Sequence, residues 1–297
     1  MSRKPPSAAP DVVPTRRGAL PTAAPRRAGR AGSGGSAAEG AARYQAPALE
    51  KGLDIVELLA GEPEALTQNQ IAQRLGRSAS EIFRMLEVLE RRGWIARSAE
   101  GAYATTLTLF ELAHRQAPVN RLLSAALPEM RLLARRTGQS NHLVVYRERR
   151  ILVLAQVDSP GSMGFSVRQG AHFPFRTDRT SARVLTAFQQ PARRAELTAE
   201  LLDGDPAPPS RESLERNLDT IRRRGWEQRR SDTLPGITDI CFPILDRHGD
   251  AIATLLQSYL AHRDLTVTVA DARQMQAGSV ATICARLGAP GAQPPPA

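Results

Sequence analysis

The stretch TQNQIAQRLGRSASEIFRMLEVLERRGWIAR, residues 67–97, decides the fold. Thr67 stands three residues before Gln70, and Ser78 three before Glu81. A Ser or Thr followed at that interval by Glu or Gln is a capping box, in which each partner satisfies a free N–H at a helix start. The first box opens a short helix with Ile71, Ala72 and Leu75 on its apolar side, broken by Gly76. The second opens a helix to about Arg92 whose core face is Ile82, Leu86 and Leu89, at steps of four and three. Gly93 stops it. Upstream, Leu49, Leu53, Ile55, Val56, Leu58 and Leu59 stripe a helix over 48–60, closed by Gly61-Glu62-Pro63. Downstream, Trp94–Arg97 and Tyr103–Thr105 flank a glycine-containing turn and read as a hairpin. Helix, short helix, tight turn, helix, hairpin is the order of a winged helix-turn-helix. It assigns residues 46–106 to a domain that binds double-stranded DNA.

In such a domain the second helix of the pair enters the major groove and turns its N-terminal residues to the base edges. With Ile82, Leu86 and Leu89 facing inward, Ser80, Glu81 and Arg84 are left on the outer face of the first turn and a half. Arg84 suits a bidentate contact to guanine O6 and N7, worth about 1–3 kcal/mol of discrimination. Ser80 suits a base or a phosphate. Glu81 either closes the capping box begun at Ser78 or points out to accept from cytosine N4. Phe83 either packs under the wing, the reading favoured here, or touches a thymine methyl. Arg77 in the turn and Arg97 in the wing are candidates for phosphate contacts, with ordinary solvated charge as the alternative.

Working outward, a linker helix is expected over about 107–115, within a linker at 107–118. After Pro118 a helix over 119–136 opens a second domain, 119–288. His142–Tyr146 and Ile151–Val157 read as strands joined by the turn Arg147–Arg150, and a third strand is expected near 163–168. Helices follow near 179–189, 191–203 and 210–224, then strands near 226–230, 238–245 and 251–259, then a helix over 266–287. Strands in runs, broken once by helices, favour an α+β antiparallel sheet.

Residues 1–45 carry eight basic and two acidic side chains, which is most of the formal +10 of the whole 297-residue chain. Rich in Ala, Pro, Arg and Gly, they read as a disordered basic tail, either a solvated extension or a phosphate-binding arm acting by counterion release. Residues 289–297 read as a second disordered tail. The high charge is therefore weak evidence about the folded part. Two cysteines, Cys241 and Cys284, lie far apart and outside any CxxC or Cys/His cluster, so neither a disulfide framework nor a metal is expected, and a reducing cytoplasm fits. No apolar run reaches the roughly 18–20 residues needed to cross a membrane.

The runs Ile71–Gly76, Ile82–Leu86, Leu89–Ile95 and Gly138–Leu143 resemble the IclR family of bacterial transcriptional regulators, over about residues 47–287. Two departures stand out: Ser80-Glu81-Ile82 where the family often has a Ser-Thr-Val-like run, and Ser181-Ala182-Arg183 where it usually ends in Gly-Lys-Ala. The resemblance implies a GAF-like effector-binding second domain that takes a small organic, often aromatic, acid between the segments matching 163–183 and 236–241. The start of the helix near Thr177–Ser181 offers free N–H groups suited to a carboxylate. Met163, Phe173, Asp178, Ser181, Asp239 and Cys241 are the pocket candidates. The chain is then expected to be a homodimer or tetramer on a palindromic operator, with no cofactor. Two other classes were weighed. A hydrolase or transferase would need something like His142, Asp178 and Cys241 together, and no nucleophile signature surrounds Cys241. A nucleoid-type DNA-coating protein would need no sensor domain.

Overall fold

The computed structural model describes residues 46–231, 234–263 and 265–290; the two expected tails, 1–45 and the part of 289–297 beyond Pro290, lie outside them. The N-terminal part comprises α1 (Pro47–Gly61), β1 (Leu66–Thr67), α2 (Gln68–Leu75), α3 (Ala79–Arg91), β2 (Ile95–Arg97) and β3 (Ala102–Thr105). Both capping boxes form: Thr67 with Gln70 at α2, Ser78 with Glu81 at α3. Between the two helices Gly76 takes φ +64°, the left-handed conformation that a Cβ disfavours, and Arg77 N–H returns 2.9 Å to the Ala72 carbonyl. Ile55, Ile71, Ile82, Leu86 and Ile95 are buried in one cluster, each such side chain contributing about 1.5–3 kcal/mol. The wing is a three-stranded sheet in the order β1-β3-β2, with Leu66 opposite Tyr103. The short strand β1 has no counterpart in the sequence reading, because two residues carry no alternation.

Two helices follow, α4 (Thr108–His114) and α5 (Ala117–Thr137). Pro118 does not separate them: it lies in the first turn of α5, where its missing N–H costs nothing. The remaining elements are β4 (Asn141–Arg147), β5 (Arg150–Val157), β6 (His172–Pro174), α6 (Thr180–Ala187), α7 (Pro191–Asp203), α8 (Arg211–Arg224), β7 (Glu227–Arg230), β8 (Ile237–Leu245), β9 (Ala251–Leu260) and α9 (Val269–Leu287). The strands form one antiparallel sheet in the order β6-β5-β4-β9-β8-β7. β4 and β5 close through a two-residue turn with Glu148 and Arg149 at φ 47° and 62°, the positive values a tight hairpin of right-twisted strands requires.

Two apolar clusters cover the sheet. One joins α5 and α9 through Met130, Leu133, Ile283 and Leu287 to Leu143, Ile240 and Leu255. The other joins α6, α7 and α8 through Val184, Leu185, Leu201 and Leu218 to Val144, Ile151 and Cys241. Neither shares a member with the N-terminal cluster. The strand expected near 163–168 is instead a loop, and the edge strand β6 lies at His172–Pro174. Phe165 and Val167 do alternate, but they line a cavity rather than a ladder. The loop passes close to Ser159 at Gly164, where a Cβ would stand 2.8 Å from the Ser159 Cβ. At the C-terminus Gly288 caps α9 and Ala289 packs on the core, so the expected second tail does not begin there.

Candidate functional site

The outer face of α3 is set by its cap and its core residues. Ser78 Oγ accepts from the Glu81 N–H at 3.3 Å, and Ser78 N–H donates to Glu81 Oε2 at 2.9 Å. The other Glu81 oxygen meets Lys51 Nζ at 3.2 Å. The Ser78 backbone, then Lys51 and the Ser78 hydroxyl, hold the Glu81 carboxyl down at about 2. One oxygen thus serves the helix start and the other pairs with Lys51 of α1, and the reading of Glu81 as a cytosine acceptor gives way to the capping role. Ser78 is likewise engaged in the cap. Phe83 is 45% exposed, so the favoured reading that it packs under the wing is overturned: α3 turns its inner face through Ile82 and Leu86, which flank the outward pair Phe83 and Arg84. Ser80 and Arg84 are exposed beside it. Arg77 pairs with Asp54 at 2.8 Å. Arg97 lies over the Tyr103 ring at 5.6 Å.

The second site is a cavity of about 360 Å³ between the sheet, the start of α6 and the loop over 163–168. Its apolar wall is Val144, Ile151, Val153, Phe165, Val167, Phe173, Leu234 and Leu256. Its polar groups are His142, Asp178, Arg179, Thr180, Ser181, Ser231, Asp239 and Ser258. Of the six candidates, Phe173, Asp178, Ser181 and Asp239 lie on this wall and two do not. Met163 is 49% exposed and stands outside it. Cys241 is fully buried in the sheet-to-α6 core behind the wall, its Sγ 3.9 Å from Ser181 Oγ. Burial also pushes the Cys241 thiol up, which removes the thiolate a nucleophile needs.

The charges are arranged in pairs. Asp178 accepts from Arg176 Nη2 at 2.7 Å and lies 3.6 Å from Arg179 Nε. Arg179 stacks over the Phe173 ring at 5.4 Å, and its buried Nε makes no hydrogen bond. Asp239 accepts from Ser258 Oγ at 3.2 Å and Thr180 Oγ1 at 3.4 Å; burial, opposed by these two bonds, raises its pKa. Beneath the α6 start, Arg183 Nε reaches both Glu227 oxygens at 3.0 and 3.1 Å, and its Nη1 donates to the Thr177 carbonyl. His142, Phe165, Arg179, Leu256 and Ser258 are wall residues that the sequence reading did not place. Alternation along β4 and β9 is the signal that would have found His142 and Ser258.

A winged helix-turn-helix followed by an α+β domain with an internal cavity defines the class of ligand-responsive DNA-binding regulators. Residues 48–99 match the IclR helix-turn-helix domain, and residues 115–274 the bacterial transcriptional regulator IclR C-terminal domain. The chain belongs to the IclR family of bacterial transcriptional regulators, with a DNA-binding helix-turn-helix and an effector-binding C-terminal domain. It is 30% identical to the glycerol operon regulatory protein of Streptomyces coelicolor over 203 residues, 67% of this chain and 79% of that one. It is 28% identical to the HTH-type transcriptional regulator KdgR of Escherichia coli over 67% of this chain and 77% of that one. These relatives are regulators, not enzymes. Among solved structures, an IclR homolog from Microbacterium hydrocarbonoxydans complexed with 4-hydroxybenzoate shares the fold at TM-score 0.66 and 22% identity, covering 81% of this chain and 98% of that one. The Thermotoga maritima IclR shares it at TM-score 0.65 and 21% identity, with the same coverage. Among the described residues no helix is long and apolar enough to cross a membrane, and no group of three or more His, Cys, Asp or Glu is placed to hold a metal ion.

Proposed function

We propose that this chain reads a palindromic operator as a homodimer or dimer of dimers and answers to a small organic acid, aromatic or ring-like in body. Symmetric proteins favour symmetric half-sites. Ser80, Phe83 and Arg84 are the base-reading set: Arg84 for guanine and the exposed Phe83 ring for a thymine methyl. Arg77 and Arg97 steady the backbone contacts, Arg77 while braced by Asp54. Residues 46–106 then form the DNA unit, 107–118 the linker and 119–288 the sensor, in the cytoplasm where the operator lies.

The observation that carries the ligand class is the buried Nε of Arg179 beside the first turn of α6, which makes no hydrogen bond and meets Asp178 only at 3.6 Å. A helix start has N–H groups without intrahelical partners, and an anion there gains from them and from the adjacent guanidinium. Asp178 offsets part of that charge, but it already shares Arg176. Asp239, with its raised pKa, gives up its charge more readily than an exposed carboxyl. The eight apolar wall residues call for a compact apolar body behind the carboxylate. The test is a thermal-shift screen of carboxylic acids on the full chain, with Arg179→Gln as control. Stabilisation by ring acids that is lost in Arg179→Gln supports the reading. Stabilisation only by amines or neutral sugars refutes it.

A further inference from the structure

His142 is a cavity group whose chemistry the acid reading does not use. It is 1% exposed, lies on β4 opposite Leu256 of β9, and faces the cavity. The Leu256 backbone lies close and favours the protonated ring, yet neither ring nitrogen makes a hydrogen bond of normal geometry. The other polar groups of the sheet floor are satisfied among themselves: Asp239 and Ser258, paired across β8 and β9, hold each other and Thr180. The strand order β4-β9-β8 puts His142 two strands from Asp239, about 10 Å at the usual strand spacing. Phe165 meets the imidazole edge-on at 6.0 Å. A buried polar group left without a well-formed hydrogen bond is costly, and this one lines the space where a ligand would lie.

We propose that His142 is a specificity-determining residue of the cavity: its imidazole bonds a hydroxyl on the effector, so the chain discriminates a hydroxylated ring from the bare one. This rests on the reading of the cavity as the effector site. Burial lowers the His142 pKa to about 4, so near pH 7 the ring carries one N–H donor and one acceptor nitrogen. A hydroxyl matches either tautomer, because it both donates and accepts; an ether or a methyl does not. Sites built to bond a hydroxyl reject the analogue that lacks it, because their own polar group is left unpaired.

The test uses the full chain labelled with ¹⁵N-histidine, phenol and toluene as matched probes, and benzoate as a separate arm. Phenol is expected to bind about tenfold more tightly than toluene, and to move the His142 ring nitrogen resonances where toluene does not. In His142→Phe the order should reverse, since toluene is the more apolar probe; in His142→Gln, which keeps a donor and an acceptor, phenol should retain its advantage. The proposal is overturned if toluene equals phenol in the native chain, if the preference survives in His142→Phe, or if neither probe binds up to its solubility. Should His142→Phe fail to fold, the ring resonances of the native chain and the Gln variant decide alone. Benzoate separates the two ideas: failure of benzoate with success of phenol removes the acid reading and leaves the His142 assignment standing.

Discussion

The buried pair Arg183–Glu227 offers the sharpest energetic test. Arg183 on α6 is 2% exposed and Glu227 on β7 is 7% exposed. Arg183 Nε contacts both Glu227 oxygens, and its Nη1 holds the Thr177 carbonyl just before α6. Removing one partner strands the other charge away from water, which costs about 3–5 kcal/mol. Replacing both by apolar residues of similar volume removes the two desolvation costs along with the attraction, and is close to neutral. Arg183→Met also deprives Thr177 of its donor, about 1 kcal/mol. The expectation is therefore a loss of about 3–5 kcal/mol for Arg183→Met or Glu227→Leu alone, and of only about 1 kcal/mol for the double variant. In a domain of this size that is a fall of roughly 6–20 °C in the singles and a few degrees in the double. Differential scanning calorimetry of the four proteins closes the double-mutant cycle. Strictly additive losses, or a single variant that melts within a degree of the native chain, would refute the claim that these charges depend on each other.

Four further outcomes are expected. Ser78→Ala should lower stability of the N-terminal domain by about 1 kcal/mol, read by urea titration, because α3 loses its cap. Arg84→Ala should leave the circular dichroism unchanged and abolish preference for operator over scrambled DNA in a competition assay; retained preference would remove Arg84 from base reading. Deleting residues 1–45 should flatten the salt dependence of DNA binding by up to about 0.9 in log–log slope per basic side chain engaged, and an unaltered slope would make the tail a solvated extension. His142 should give the sensor domain an acid sensitivity: the folded chain keeps the ring neutral down to about 4 while the unfolded chain takes a proton near 6.5. Stability present above about 6.5 is then lost as pH falls through about 4, by up to about 3 kcal/mol in total. His142→Gln should remove that slope.

The two domains were legible to different depths, for a physical reason. The winged helix-turn-helix is written in local signals. Thr67, Gln70, Gly76, Ser78 and Glu81 each act on a neighbour within five residues, so spacing alone recovers the helix starts and the turn. Phe83 was misjudged because a large apolar residue is usually buried, and that expectation was set above the spacing of Ile82, Leu86 and Leu89, which already turned Phe83 off the core face. The sensor domain's elements were also readable, but its cavity was not, since that depends on strand register. Cys241 and Asp239 are two residues apart on the same face of β8; only the placement of α6 makes Asp239 wall and Cys241 core. Phe165 and Val167 imitate a strand because the alternation that faces a cavity is the same as the alternation that faces a core.

That register also explains why one helix serves both the cavity and the core. Every residue of α6 from Thr180 to Ala187 is buried. Its first turn supplies Thr180 and Ser181 to the cavity, and Arg183, one turn along, locks it to β7 and to the segment ending at Thr177. A ligand anion at Arg179 therefore meets a helix start whose position is fixed by a buried ion pair rather than by exposed side chains. Weakening the pair should loosen ligand binding without touching the wall. In Arg183→Met the affinity for whichever acid the screen returns should fall while its preference for hydroxylated over bare rings, set by His142 on β4, stays the same. A change in that preference would mean the two ends of the cavity are not independent, and the separation of anchoring from discrimination would have to be abandoned.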